Sequence, residues 1–142
     1  MNVDFHKIDD SDFDFLWQLH NAALKDYVAQ TWGWDENWQK HDFAENFNPE
    51  KGEIILIDGK DGGFLWTIDK ENETLLVSIR LLPEFQNKGI GSKIIRNLLD
   101  KSRKPVKLQV LKVNPARRFY QRLGFKICEE TATHFVMKTK QD

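Results

Sequence analysis

The stretch Leu81-Leu82-Pro83-Glu84-Phe85-Gln86-Asn87-Lys88-Gly89-Ile90-Gly91-Ser92-Lys93 limits what this chain can fold into more than any other. An apolar run, Leu75 to Leu82, leads into it, and an amphipathic run, Ile90 to Leu99, leads out. The pattern reads as a strand that stops at a proline, a tight glycine loop, and then a helix. Glycine carries no side chain, so ligand can approach the backbone closely. The first N–H groups of a helix lack partners inside it and lie at the positive end of its dipole. Such a loop is a ready anion site. A bland strand-to-helix connection that needs a sharp turn has the same composition. Spacing excludes two phosphate loops. The P-loop pattern does not occur, and the dinucleotide loop needs a third glycine where Ile94 stands.

A second pattern lies downstream: Asn114-x-Ala116-x-x-Phe119-Tyr120-x-x-Leu123-Gly124-Phe125. Asn114 is a good helix cap and Pro115 a good first residue. Ala116, Phe119, Tyr120 and Leu123 recur at i, i+3, i+4 and i+7, and Gly124 sits where a helix-ending glycine belongs. By spacing alone, Tyr120 is a packing residue with its hydroxyl at the rim.

Gln86-x-x-Gly89-x-Gly91 after a strand resembles the pyrophosphate loop of the GNAT acyltransferase superfamily, and the downstream pattern resembles its second motif. The two stand in the right order and at a typical distance. The resemblance covers the chain from about Glu53 onward and implies an α/β (α+β) fold. That fold is a mostly antiparallel sheet of six to seven strands flanked by about four helices, with a splayed strand pair holding the cofactor. It implies an N-acetyltransferase moving an acetyl group from acetyl-CoA to a primary amine of a small molecule or peptide. On this resemblance Gln86, Asn87, Lys88, Gly89, Ile90, Gly91 and Ser92 surround the pyrophosphate. Leu81 and Leu82 pair their backbone with the pantetheine amides, and Asn114 lies near the same arm. Tyr120 is the general acid to the leaving thiolate. Arg117 and Arg118 either reach the ribose phosphate or are solvated helix arginines.

One departure stands out. Many relatives carry a carboxylate near the middle of the strand before the loop. Here that stretch is Leu76-Val77-Ser78-Ile79-Arg80, with no acid. The general base is therefore left unassigned: a water chain, Glu73, His20 or His134 carries the proton, or the acceptor is an amine of low pKa. The gap also keeps open an alternative, a CoA-binding or regulatory module with weak or no transfer.

Composition narrows the rest. With 142 residues, 40% hydrophobic and 30% charged, the chain reads as a single domain, 1–142, large enough for its own core. A net charge of −1 gives no surplus for nucleic acid. A single cysteine, Cys128, excludes an internal disulfide and a cysteine-rich metal site, and it reads as a small core residue. Nothing resembles a signal peptide or a membrane span, which points to the cytoplasm.

From the N-terminus, Val3 to Ile8 reads as a strand. Ser11 and Asp14 have capping-box spacing before a helix carrying His20, Tyr27 and Val28. Three of the five tryptophans crowd into Thr31 to Trp38. They either cap the core from a loop, wall a substrate pocket, or offer a homodimer contact. In relatives this region shapes the acceptor site, so Tyr27, Trp32, Trp34 and Asp35 are pocket candidates on that resemblance. Ser78 and Arg80 join them, since both lie on one face of the strand before the loop. A buried arginine is costly unless paired. Arg80 therefore reaches the sheet's open end or faces an acid. Strands at Glu53–Ile57, Gly63–Ile68 and Thr74–Leu82, the last covered on both faces, complete a meander. A strand after Pro105 and a hairpin of Phe125–Glu130 with His134–Lys138 follow the glycine-loop helix. The resulting order is β-α-(α)-β-β-β-α-β-α-β-β.

Overall fold

The computed structural model describes residues 1–139. Its elements run in the expected order. They are β1 (Val3–Lys7), α1 (Phe13–Trp32), α2 (Glu36–Asn46), β2 (Glu53–Ile57), β3 (Lys60–Asp69), β4 (Thr74–Leu81), α3 (Ile90–Lys101), β5 (Val106–Leu111), α4 (Ala116–Arg122), β6 (Lys126–Glu130) and β7 (His134–Lys138). The strand order is β1-β2-β3-β4-β5-β7-β6. Of the registered pairs only β4 with β5 is parallel. The fold is the mostly antiparallel α/β arrangement that the GNAT resemblance implies.

Two compact units divide the chain. The first comprises Met1–Trp66 and Ser78–Lys88. Here β1 and β2 pair antiparallel from Val3↔Ile57 to Lys7↔Glu53. Asp58 and Gly59, at φ 51° and 81°, make the two-residue turn into β3. The turn is tighter than the composition of 58–62 suggests, so Lys60 to Gly62 join the strand. Ile8, Leu16, Leu19 and Ile54 form the core, and Phe15, Phe43, Phe47, Phe64 and Leu82 pack on it. The helix start lies earlier than Ser11 and Asp14 suggest. Asp9 accepts from Ser11 N at 2.8 Å while Asp12 accepts from Asp9 N at 2.9 Å, which closes the capping box around a short 3-10 turn. Helix α1 then runs on through Trp32, so only Gly33 to Asp35 of the tryptophan stretch form a loop.

The second unit comprises Thr67–Val77 and the chain from Gly89 on. Its β4–β5 pairing is registered at Thr74↔Val106 and Leu75↔Lys107. Thr74 N also donates to Pro105 O at 2.9 Å. Leu76 and Val77 have no β5 partner in that register, and Val77 is 42% exposed, so β4 is not covered on both faces. Ile90, Ile94 and Ile95 of α3 are buried, as are Val106, Leu108, Val110, Phe125, Val136 and Met137. Cys128 corrects the core expectation. It is exposed, because β6 is the last strand of the sheet order and all five of its residues face solvent. Apolar–polar alternation marks a strand but not whether either face is covered.

Candidate functional site

Three groups of side chains and backbone carry chemistry. The first is the turn between β4 and α3. Pro83–Phe85 form a short 3-10 turn, and Gln86 Nε2 donates to Leu81 O at 3.0 Å, tying the loop to the end of its strand. Asn87 and Gly89 both have left-handed backbone, at φ 61° and 80°. A left-handed residue followed by a right-handed one turns consecutive N–H groups toward the same side. Gly89 does this immediately before Ile90 opens the helix. The first intrahelical bond of α3 is Lys93 N to Gly89 O at 3.1 Å. Ile90, Gly91 and Ser92 precede it, and no side chain caps them. A Cβ built on Gly89 would meet nothing within 4 Å. An uncapped helix start, a positively charged neighbour in Lys88 and open space over Gly89 suit an anion with several acceptor oxygens. Leu82 is more occupied than its place in the motif suggests. Its N–H donates to Gly62 O and its carbonyl accepts from Phe85 N, both at 2.9 Å.

The second group lies on α4. Asn114 Oδ1 accepts from Ala116 N at 2.9 Å, so its side chain does cap the helix start, one residue ahead of Pro115. Tyr120 packs edge-on against Phe119 and Phe125, with centroids 5.3 and 5.7 Å away. Among the described residues no hydrogen bond engages its hydroxyl. That oxygen is not sealed from solvent either. Burial pushes the phenol up from 10 to about 12. Arg117 is half-buried and stacks over Phe135 at 5.0 Å.

The third group joins α1, α2 and the end of β4 within the first unit. Arg80 faces a histidine where the sequence suggested an acid: its Nη1 lies 3.2 Å from His20 Nδ1. Burial lowers its guanidinium from 12.5 to about 10. The His20 ring lies 5.8 Å from Trp17, 5.9 Å from Trp34 and 5.2 Å from Phe43, and its Nε2 lies 3.5 Å from Gln39 Oε1. Its pKa is lowered by burial first and by the Arg80 charge second. Of the tryptophan-stretch candidates, Trp34 belongs to this group. Its Nε1 donates to Glu36 Oε2 at 2.6 Å, and Lys25 lies over its ring. Trp32 sits at the exposed end of α1. Asp35 caps α2 by accepting from Trp38 N at 3.0 Å. Tyr27 is half-buried on α1 and Ser78 half-buried on β4. Sequence reading left out Trp17 and grouped Phe43 only with the aromatics that follow the tryptophan stretch, since no local signal pairs residues so far apart with Arg80. It also left out a cluster in which ligand atoms of His6, Asp12 and Asp61 lie within 4.8 Å of one another. There Lys7 O first, and Asp61 after it, hold the His6 ring and raise its pKa.

Among the described residues no helix is long and apolar enough to cross a membrane. Solved structures share the fold. PaiA N-acetyltransferase of Thermoplasma acidophilum, in complex with coenzyme A, aligns over 99% of both chains at 20% identity and a TM-score of 0.77. The ribosomal-protein-S18-alanine N-acetyltransferase of Escherichia coli aligns over 97% of this chain and 93% of its own, at 20% identity and 0.67. Arabidopsis thaliana Naa50, in complex with the bisubstrate analogue CoA-Ac-MVNAL, aligns over 99% of both at 16% identity and 0.64. No curated protein sequence matches the chain. The family model for the acetyltransferase (GNAT) domain matches residues 49–127, more than half of the 142 residues. That span holds the glycine loop and the Asn114–Tyr120 helix, and with it the chain belongs to the GNAT acetyltransferase family.

Proposed function

We propose that residues 1–142 act as one acyltransferase domain that moves an acetyl group from acetyl-CoA to a primary amine by direct attack. The observation that carries this is the start of α3. Its N–H groups are uncapped, Gly89 is left-handed and nothing stands over its Cβ position. These features fit a pyrophosphate. Each N–H to charged-oxygen bond is worth ~1.5–3 kcal/mol, and the helix end adds roughly 0.3–2 kcal/mol. Gln86, Asn87, Lys88, Gly89, Ile90, Gly91 and Ser92 would hold it. Leu81 and Leu82 would contribute the second lone pairs of their carbonyls, since each oxygen already accepts one bond. Asn114 keeps its amide N–H groups for the pantetheine arm while its oxygen caps α4.

When bound, acetyl-CoA supplies the thioester: its C–S bond breaks as a C–N bond to the amine forms, and a proton passes from nitrogen to sulfur. Tyr120 takes the last event as general acid, a role supported by its position in the second motif. Its hydroxyl holds a proton throughout the neutral range and donates it to no described residue. The complexes named for the Thermoplasma and Arabidopsis proteins support coenzyme A as the cofactor, and the MVNAL part of the Arabidopsis analogue supports a peptidic amine among the acceptors.

The missing carboxylate in β4 favours a second reading, a CoA-binding module with slow transfer. Calorimetric titration of acetyl-CoA, followed by thiol release with an amine panel, separates the two. Micromolar binding with turnover supports the enzyme, whereas binding without turnover supports the module. Gly91→Glu is expected to abolish binding. Absence of binding to the folded wild type would sink both readings.

A further inference from the structure

We infer that Arg80 and His20 form a receptor for a carboxylate carried by the acceptor, so that the substrate is an amine of the amino-acid type. The inference rests on the acyltransferase reading above. Arg80 is a cation without an anion. Among the described residues no carboxylate pairs with it, and its contact is to the His20 ring at 3.2 Å. A guanidinium has only donors, so His20 Nδ1 must present its lone pair. The His20 proton therefore sits on Nε2, aimed at Gln39 Oε1. His20 is held neutral and orients Arg80 without cancelling its charge.

Removing a charge from water without a partner is expensive, and proteins seldom keep one. The fork of Arg80 has five N–H donors, and His20 takes one of them. The remainder match the two oxygens of a carboxylate. Arg80 keeps part of its surface accessible, so the group is not sealed. Among the described residues the Asp42 charge reaches the His20 ring but forms no ion pair with Arg80. Lys25, over the Trp34 ring, faces Glu36 at 3.9 Å. The planar guanidinium fork suits a planar carboxylate. Trp17, Trp34 and Phe43 around His20 offer apolar contact beside it.

The test has two independent arms. In the first, His20 ring resonances of the wild-type chain are followed by NMR. The ligands are the twenty protein amino acids, each compared with its carboxamide. A saturable shift with one or more acids, absent with the matching amide and lost in Arg80→Gln, is the expected result. No saturable shift with any acid, or equal shifts with acid and amide, overturns the proposal whether or not the chain is an enzyme. In the second arm, thiol release from acetyl-CoA is measured with the same pairs. The acid should exceed its amide by about ten- to a hundredfold in kcat/KM, the factor expected for one charge-assisted pair. Arg80→Lys should raise KM for the acid with kcat nearly unchanged, and Arg80→Gln should erase the acid–amide difference. A preference for acids that survives Arg80→Gln refutes the assignment. Failure of acetyl-CoA to bind at all refutes the acyltransferase reading and leaves the first arm to decide the anion site.

Discussion

Replacing Tyr120 by phenylalanine removes one oxygen and leaves the ring that packs at 5.3 and 5.7 Å against Phe119 and Phe125. No described residue bonds that oxygen, so the fold loses no internal hydrogen bond. Stability should move by less than about 1 kcal/mol, or roughly 2–4 °C in Tm. Activity should change much more. Burial has raised the phenol to about 12. A thiol titrates near ~8.5, so complete transfer of this proton to an ordinary thiolate is uphill by about 5 kcal/mol. The hydroxyl therefore acts mainly as a hydrogen-bond donor to the charge growing on sulfur, worth ~1.5–3 kcal/mol. That predicts a kcat lower by about ten- to a hundredfold in Tyr120→Phe, with acetyl-CoA affinity nearly unchanged. Stopped-time thiol release and calorimetry read the two quantities, and thermal unfolding checks the fold. A variant with kcat within twofold of wild type would refute the donor role. A variant that fails to fold would show that Tyr120 serves packing instead.

The same backbone geometry and burial set three further outcomes. Gly89→Ala puts a Cβ into open space but onto a left-handed backbone, a conformational cost of ~1–2 kcal/mol. Thermal unfolding should show a modest fall in Tm, and Gly89→Asn should recover part of it, whereas equal stability of all three proteins contradicts the left-handed turn. Gly63→Ala would drive a Cβ into Arg80 O, so the strand must shift, at ~1–3 kcal/mol. Urea midpoints test this, and an unchanged midpoint would mean that β3 and β4 do not approach so closely. His20 has a pKa lowered in the folded chain. Its contribution is present above the unfolded value near ~6.5 and is lost as pH falls through the folded value. Urea midpoints should therefore drop on acidification below about pH 6.5, and His20→Gln should flatten that part of the profile. A profile that His20→Gln leaves unaltered would refute the assignment.

Local patterns were legible because their causes are local. The β4–loop–α3 turn follows from Pro83 and the backbone freedom of Gly89. Asn114 capping α4 and Gly124 at φ 99° just beyond it follow from the same short-range sterics and hydrogen bonding. The order of elements came from apolar periodicity together with the two motifs, and these sufficed to identify the family. Where several local solutions compete, the sequence was less decisive. Asp9 with Asp12 won the helix start over Ser11 with Asp14, whereas Asp35 took the helix-starting role that its residue type favours.

Tertiary structure alone decided which faces are covered and which distant side chains meet. Cys128 and Val77 have the pattern of buried strand residues, yet both are exposed, since coverage depends on a neighbour that alternation does not encode. Arg80 and His20 are sixty positions apart. The sequence showed that an arginine in an apolar strand needs a partner. Only the packing of α1 against the end of β4 showed that the partner is a neutral ring, because a charge's environment is set by what the chain brings to it through space.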